Sequence, residues 1–175
     1  MIRRDEVYKI GRIVKPHGLK GEVSFSFSDD IFDRTDSEYL ICDMDGILVP
    51  FFMEEYRFRS DSAAIVKFED IDSEEDARRL VGCDVYFPQK MAVEEGGDEL
   101  SLYYFVGFEV FEYEGDRIGT IVAVDDNTEN WLFEIEIGEG KTVLVPAHEE
   151  IIVDIDHEQK RMVMNLPDGL LELQA

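Results

Sequence analysis

Apolar and polar side chains alternate along the segment running through Leu19, Val23, Phe25 and Phe27 on one side and Lys20, Glu22, Ser24, Ser26 and Ser28 on the other. A period of two suits a strand with one buried and one wet face, because successive side chains leave a pleated backbone in opposite directions. The pattern returns where Trp131, Phe133, Ile135 and Ile137 alternate with Leu132, Glu134, Glu136 and Gly138, and more briefly at Ile151, Val153 and Ile155. Turn-forming residues separate these runs: Asp45-Gly46, Glu114-Gly115-Asp116, Gly138-Glu139-Gly140 and the polar stretch 125–130. Short strands joined by tight turns predict an all-β chain of barrels or sandwiches.

One segment departs from that period. Ser73 can cap a helix with Glu74, Glu75 and Asp76 in its first turn, Arg78 and Arg79 in its last, and Gly82 to end it. Ala77, Leu80 and Val81 offer a narrow apolar stripe, enough to plug the end of a barrel. From Gln89 to Glu99 the chain turns polar and glycine-bearing, which predicts a linker there, a first domain over 1–88 and a second over 100–175.

Charge divides the chain in the same place. Residues 1–90 hold 13 basic and 20 acidic side chains, net −7, whereas 91–175 hold 4 and 21, net −17. The first twenty residues reverse the sign, with Arg3, Arg4, Lys9, Arg12, Lys15 and Lys20 against Asp5 and Glu6. A total of −24 excludes a general nucleic-acid coat, so any contact with a polyanion has to come from locally gathered cations.

Arg3-Arg4 is followed at once by Asp5-Glu6 and by no apolar stretch, which argues against a signal peptide. The charge-free run 46–53 is far shorter than the roughly 20 residues of a membrane helix. Cys42 and Cys83 lie in apolar segments without a CxxC neighbour, which fits buried thiols in a reducing cytoplasm, a disulfide between them being the lesser alternative. Asp125-Asp126 with Glu129 and Asn130 lacks the regular spacing of a calcium loop, and His148 and His157 have no zinc-spaced partner. No nucleophile motif or phosphate-binding glycine loop occurs, so the expectation is a non-enzyme with no cofactor and no metal.

The sharpest motif runs from Gly11 to Val23 and contains Pro16-His17-Gly18-Leu19-Lys20-Gly21-Glu22. Glycines there permit positive φ and close approach by another chain, and Arg12, Lys15 and Lys20 flank them. Two readings stay open on the residues alone: a barrel-closing turn with His17 bonded to nearby backbone, or a contact surface for an anion.

This motif resembles the N-terminal signature of the RimM family of bacterial ribosome maturation factors. The resemblance continues through Val66-Lys67-Phe68-Glu69-Asp70-Ile71 and the segment 74–80. It resumes at Val106-Gly107-Phe108-Glu109-Val110, Gly119-Thr120-Ile121, Val145-Pro146, 151–156 and Leu166-Pro167-Asp168-Gly169-Leu170, similar to the PRC-barrel half of the same proteins. It implies two small β-barrels, the first six-stranded with one short helix, the second a PRC-barrel. It further implies a monomeric, cytoplasmic accessory protein that binds the immature 30S subunit with its 16S rRNA, and a protein of the subunit head. On that reading Arg12, Lys15, His17, Gly18, Lys20 and Gly21 face rRNA or the subunit. An adaptor in a nonribosomal complex is the alternative that the second half alone allows.

The family also carries an aromatic pair soon after the linker. Counting back from Gly107, Glu99 keeps the acidic place before it, Leu100 and Ser101 stand at the pair's spacing, and Tyr104 replaces an aspartate. Tyr103 and Tyr104 are then either that pair displaced, binding the ribosomal protein, or strand tyrosines packing their rings.

Overall fold

The computed structural model describes residues 1–96 and 100–174. Contacts divide the chain into two units, Met1–Tyr104 and Phe105–Ala175.

In the first unit, strands β1 (Val7–His17), β2 (Glu22–Phe27), β3 (Tyr39–Met44), β4 (Ile47–Ser60), β5 (Ala63–Phe68) and β6 (Asp84–Pro88) form a closed barrel in the order β1-β2-β5-β4-β3-β6. Pairing of Val7 with Pro88 through Arg12 with Asp84 closes the ring. A barrel this narrow has its interior filled by side chains. The alternation of β2 supplies Val23, Phe25 and Phe27 to that interior and leaves Ser26 in solvent. The rings of Phe25, Phe27 and Phe32 meet with centroids 5.4–5.6 Å apart. Leu19 does not share their face. It sits in the turn before β2, 77% exposed, because positive φ at Gly18 and Gly21 breaks the period before the strand begins.

The expected helix forms as α2 (Glu74–Arg78), after Ser73 Oγ accepts the Asp76 N–H at 3.1 Å. Ala77 and Leu80 are buried, Val81 is not, and the helix packs against β1 and β2. The expectation of one helix is corrected, since α1 (Ile31–Arg34) and α3 (Gln89–Glu95) accompany it. A single turn such as α1 has no periodicity to read; the Asp29 carboxylate accepting the Ile31 N–H holds it. In α3, Lys90, Met91 and Ala92 are good helix formers that bury Ala92, and their polar neighbours give the segment the composition of a linker. Gly97, Asp98 and Glu99 lie outside the described residues.

The second unit contains β7 (Glu109–Glu112), β8 (Arg117–Asp125), β9 (Leu132–Gly138), β10 (Lys141–Pro146), β11 (Ile152–Asp156) and β12 (Arg161–Met164), a six-stranded sheet ordered β10-β9-β8-β7-β12-β11. The β12–β7 pair is parallel and the other neighbours are antiparallel. Phe133 and Ile135 on β9 face Val145 and Val143 on β10, and with Phe108, Val110, Ile121, Met162 and Met164 they make the core. Trp131 and Ile137, in the same alternating series, stay partly exposed: one precedes the strand and the other lies at the register shift beside Lys141. Val153 is likewise exposed, because a shift between Ile152 and Asp154 breaks the alternation of β11. No helix of the described residues is long and apolar enough to cross a membrane.

Candidate functional site

The Gly11–Val23 motif spans the end of β1, the turn after it and the start of β2. Lys15 pairs with Ser24, Pro16 with Val23 and His17 with Glu22, while a register shift between Ile13 and Lys15 leaves Val14 as an inserted residue. The bulge turns both Val14 and Lys15 outward. Arg12, Lys15 and Lys20 are exposed, and among the described residues none of the three makes a hydrogen bond or ion pair. Unpaired, solvated ammonium and guanidinium groups in an acidic chain remain available to an incoming anion.

Two glycines of the turn are there for different reasons. Gly21 has φ +95° and is buried; an added Cβ meets the Ile71 carbonyl oxygen at 2.0 Å, so the segment leading to α2 is packed on this backbone. Gly18 has φ +68° and open space around it. Gly21 is therefore demanded by packing, whereas Gly18 is demanded only by the turn and exposes bare backbone.

His17 is half-buried and does not turn to nearby backbone. Its Nε2 lies 3.5 Å from Nη2 of Arg57 on β4, whose Nη1 donates to Glu22 Oε2 at 2.6 Å. Arg57 is a member of this site that the sequence did not reveal. It is 40 residues from His17, and only the barrel's register brings the two together.

Tyr103 and Tyr104 occupy one 3-10 turn, Leu102–Phe105, in which the Tyr104 N–H donates to the Ser101 carbonyl at 3.0 Å. Neither belongs to a strand. Tyr103 is half-exposed, whereas Tyr104 is 2% exposed, with its ring edge-on to Tyr8 at 5.4 Å. Burial pushes the Tyr104 hydroxyl up to about 12. Beneath it, Tyr8 donates to Asp29 Oδ2 at 2.8 Å, and Oδ1 of the same carboxylate accepts from Ile31 N and Arg34 Nη2, each at 3.0 Å. Arg34 Nη1 also donates to the Gly96 carbonyl at 3.0 Å. Tyr104 and Gly96 are thus both anchored to the first unit, one on either side of 97–99. Glu99, the acidic residue in the family's spacing, lies outside the described residues.

The second unit carries its charge in the open. Glu136, Glu139, Glu149, Glu150, Asp154 and Asp156 are all exposed, while Arg117 and Arg161 both lie within 4.0 Å of Glu109. Asp125 is occupied locally, accepting from Asn127 N and Nδ2 at 3.1 and 2.8 Å, as in a self-contained turn. Among the described residues no group of three or more His, Cys, Asp or Glu could hold a metal ion. Cys42 and Cys83 are free thiols, and burial pushes Cys42 up to about 12.

Residues 8–92 match the family model described as the RimM N-terminal domain, and residues 103–170 match that of the RimM PRC barrel domain. The chain is 53% identical over 173 residues to the ribosome maturation factor RimM of Phocaeicola vulgatus, covering 98% of this chain and 100% of the relative. It is also 53% identical over 174 residues to that of Bacteroides thetaiotaomicron, covering 99% and 97%. A crystal structure of a 16S ribosomal RNA processing protein RimM from Pseudomonas aeruginosa superposes with a TM-score of 0.44 at 19% identity, over 92% of this chain and 98% of that one. A superposition that weak adds nothing to the sequence matches.

Proposed function

The chain belongs to the RimM family of ribosome maturation factors, and on that premise we propose that it binds the immature small ribosomal subunit without making or breaking a covalent bond. The first unit meets 16S rRNA through Arg12, Lys15, His17, Gly18 and Lys20, with Gly21 holding the turn in shape. Cations neutralise phosphates, and the bare backbone at Gly18 lets a strand of RNA come close. The second unit meets a basic protein of the subunit head, which its exposed carboxylates attract and orient. Tyr103, half-exposed on its 3-10 turn, offers an aromatic anchor to the ribosomal protein, and the buried ring of Tyr104 keeps that turn in place.

The observation that carries this reading is the division of charge: three unpaired cations, Arg12 and Lys15 on β1 and Lys20 in the turn after it, stand along the motif of a chain whose second half has net −17. A surface that acidic repels bare RNA and suits a basic protein. Binding one arrangement of the unfinished subunit shifts its folding equilibrium toward that arrangement by mass action.

Co-sedimentation with free immature subunits, mature subunits and complete ribosomes tests the proposal. Association chiefly with immature subunits is expected. Equal association with all three, or with none at low ionic strength, contradicts it.

A further inference from the structure

The ladder arranges the outer face of β1, β2, β5 and β4 in rows. Lys15 pairs with Ser24, Ser24 with Ile65, and Ile65 with Arg57. In the next row Arg12 pairs with Ser26, Ser26 with Ala63, and Ala63 with Ser60. On the other side His17 pairs with Glu22. Cations therefore stand on the outer strands β1 and β4, and the floor between them is made of Ser24, Ser26 and Ala63, all short side chains. Glu22 carries the carboxylate next to the motif turn, and Glu55 lies farther off on β4, opposite Lys67.

Arg57 faces Ile65 on β5 yet reaches Glu22 on β2, so its side chain lies across β5 and covers Ile65, which is buried although it shares a row with Ser24 and Lys15. Its head stops beside the motif turn, with Nη1 on Glu22 and Nη2 next to His17. Both Arg57 and Glu22 keep solvent contact, with side-chain exposures of 51% and 21%. An ion pair that open contributes little to folding. What it achieves is to park a guanidinium on the rim of a cationic trough, with N–H donors that Glu22 does not use.

From this arrangement we infer that Arg57 is a phosphate-binding residue of the barrel, held in reserve by Glu22, and that its ligand is a phosphodiester of RNA. The inference rests on the RNA-facing role proposed above for the motif turn. An arriving phosphate exchanges with Glu22 on the guanidinium fork, so one anion replaces another and no charge is left uncovered. Planar, two-pronged donation to phosphate is what a guanidinium does better than an ammonium. Lys15 in the same row supplies a flanking phosphate with a partner, and the serine floor leaves room for the backbone between them. Glu22 acts as an internal competitor that keeps weaker anions off Arg57.

The test measures affinity of the full-length chain for immature small subunits and for a fluorescein-labelled single-stranded RNA, at about 50 mM salt, where phosphate contacts are strongest. Glu22→Gln preserves the shape of the side chain and frees Arg57, and is expected to tighten binding by about threefold to tenfold. Arg57→Met keeps an unbranched stem over Ile65 while removing the charge, and is expected to weaken binding about tenfold; Arg57→Lys is expected to recover part of that loss. A purely structural ion pair gives no gain in affinity for Glu22→Gln. If neither variant moves the affinity while Lys15→Glu with Lys20→Glu weakens it, Arg57 is not a ligand and the RNA-facing turn survives. If the wild-type chain binds neither probe, or no variant including the double one alters binding, the turn's role and this inference fall together.

Discussion

The two units solve the same problem in different ways. The first is a ring of strands whose last member pairs with its first. The second is a sheet with end strands β10 and β11, unpaired to each other among the described residues. A ring has no edge to protect, so its outer face is free to carry Lys15 and Arg57 around a serine floor. End strands present unpaired N–H and C=O groups and have to be guarded against other chains. In the second unit Asp154 and Asp156 are exposed on β11, Pro146 closes β10, and the Gln174 side-chain amide accepts from Leu144 N at 2.7 Å and donates to Leu144 O at 2.8 Å. Acidity there serves the sheet as well as any partner it selects. Closure in one unit and charge at the end strand of the other are two routes to shielding β edges from other chains.

The largest test of this contrast is in the cores. Phe133→Ala removes a fully buried ring of the second unit and is expected to cost about 4 kcal/mol. Hydrogen exchange of β8, β9 and β10 should rise accordingly, with the barrel strands as internal reference. Protection that stays high in β9 shows that the sheet does not depend on this ring.

A buried polar group should matter nearly as much in the barrel. Asp29→Ala strands Tyr8, the Ile31 N–H and one edge of Arg34, at an expected cost of about 3 kcal/mol. Tyr8→Phe deletes one of those bonds and is expected to cost about 1 kcal/mol. Equal costs for the two, measured by urea denaturation, contradict the network.

The two motif glycines sharpen the comparison within the barrel. Gly21→Ala meets the Ile71 carbonyl and should cost about 3 kcal/mol, whereas Gly18→Ala, strained only by its φ in open space, should cost about 1 kcal/mol. Alkali acts on the same unit, where burial raises Tyr104 and Cys42 to about 12 from ordinary values of 10.0 and 9.0. Groups that hold their protons more tightly when folded stabilise fully below their unfolded values and lose that contribution as pH climbs toward the folded ones. Barrel stability is expected to decline between about pH 9 and 12, and a flat profile over that window contradicts the burial of these groups.

What the sequence disclosed was periodic or punctuated. The β2 and β9 alternations, the Ser73 cap and the Asp45-Gly46 turn, with positive φ at both residues, follow from local chemistry. What it concealed was set by partners far along the chain. Nothing near Arg57 announces that it reaches Glu22 and His17, because that depends on the register of β4 against β5 and of β5 against β2. Tyr104 reads as a surface aromatic until Tyr8 is brought beside it. The helix α3 was hidden by polar residues on its exposed side, and the fate of Leu19 by a turn that ends the period one step before the strand.

The central claim is that cations at one turn of an acidic chain grip the RNA of an unfinished subunit. Its most direct measurement is the salt dependence of binding to immature small subunits, for the wild-type chain and for Lys15→Glu with Lys20→Glu. The account predicts that affinity falls linearly in logarithmic terms as salt rises, and that the double variant binds more weakly with a slope shallower by about 1 for each phosphate it no longer neutralises. Wild-type binding that ignores salt, or a double variant with the same affinity and the same slope, contradicts it.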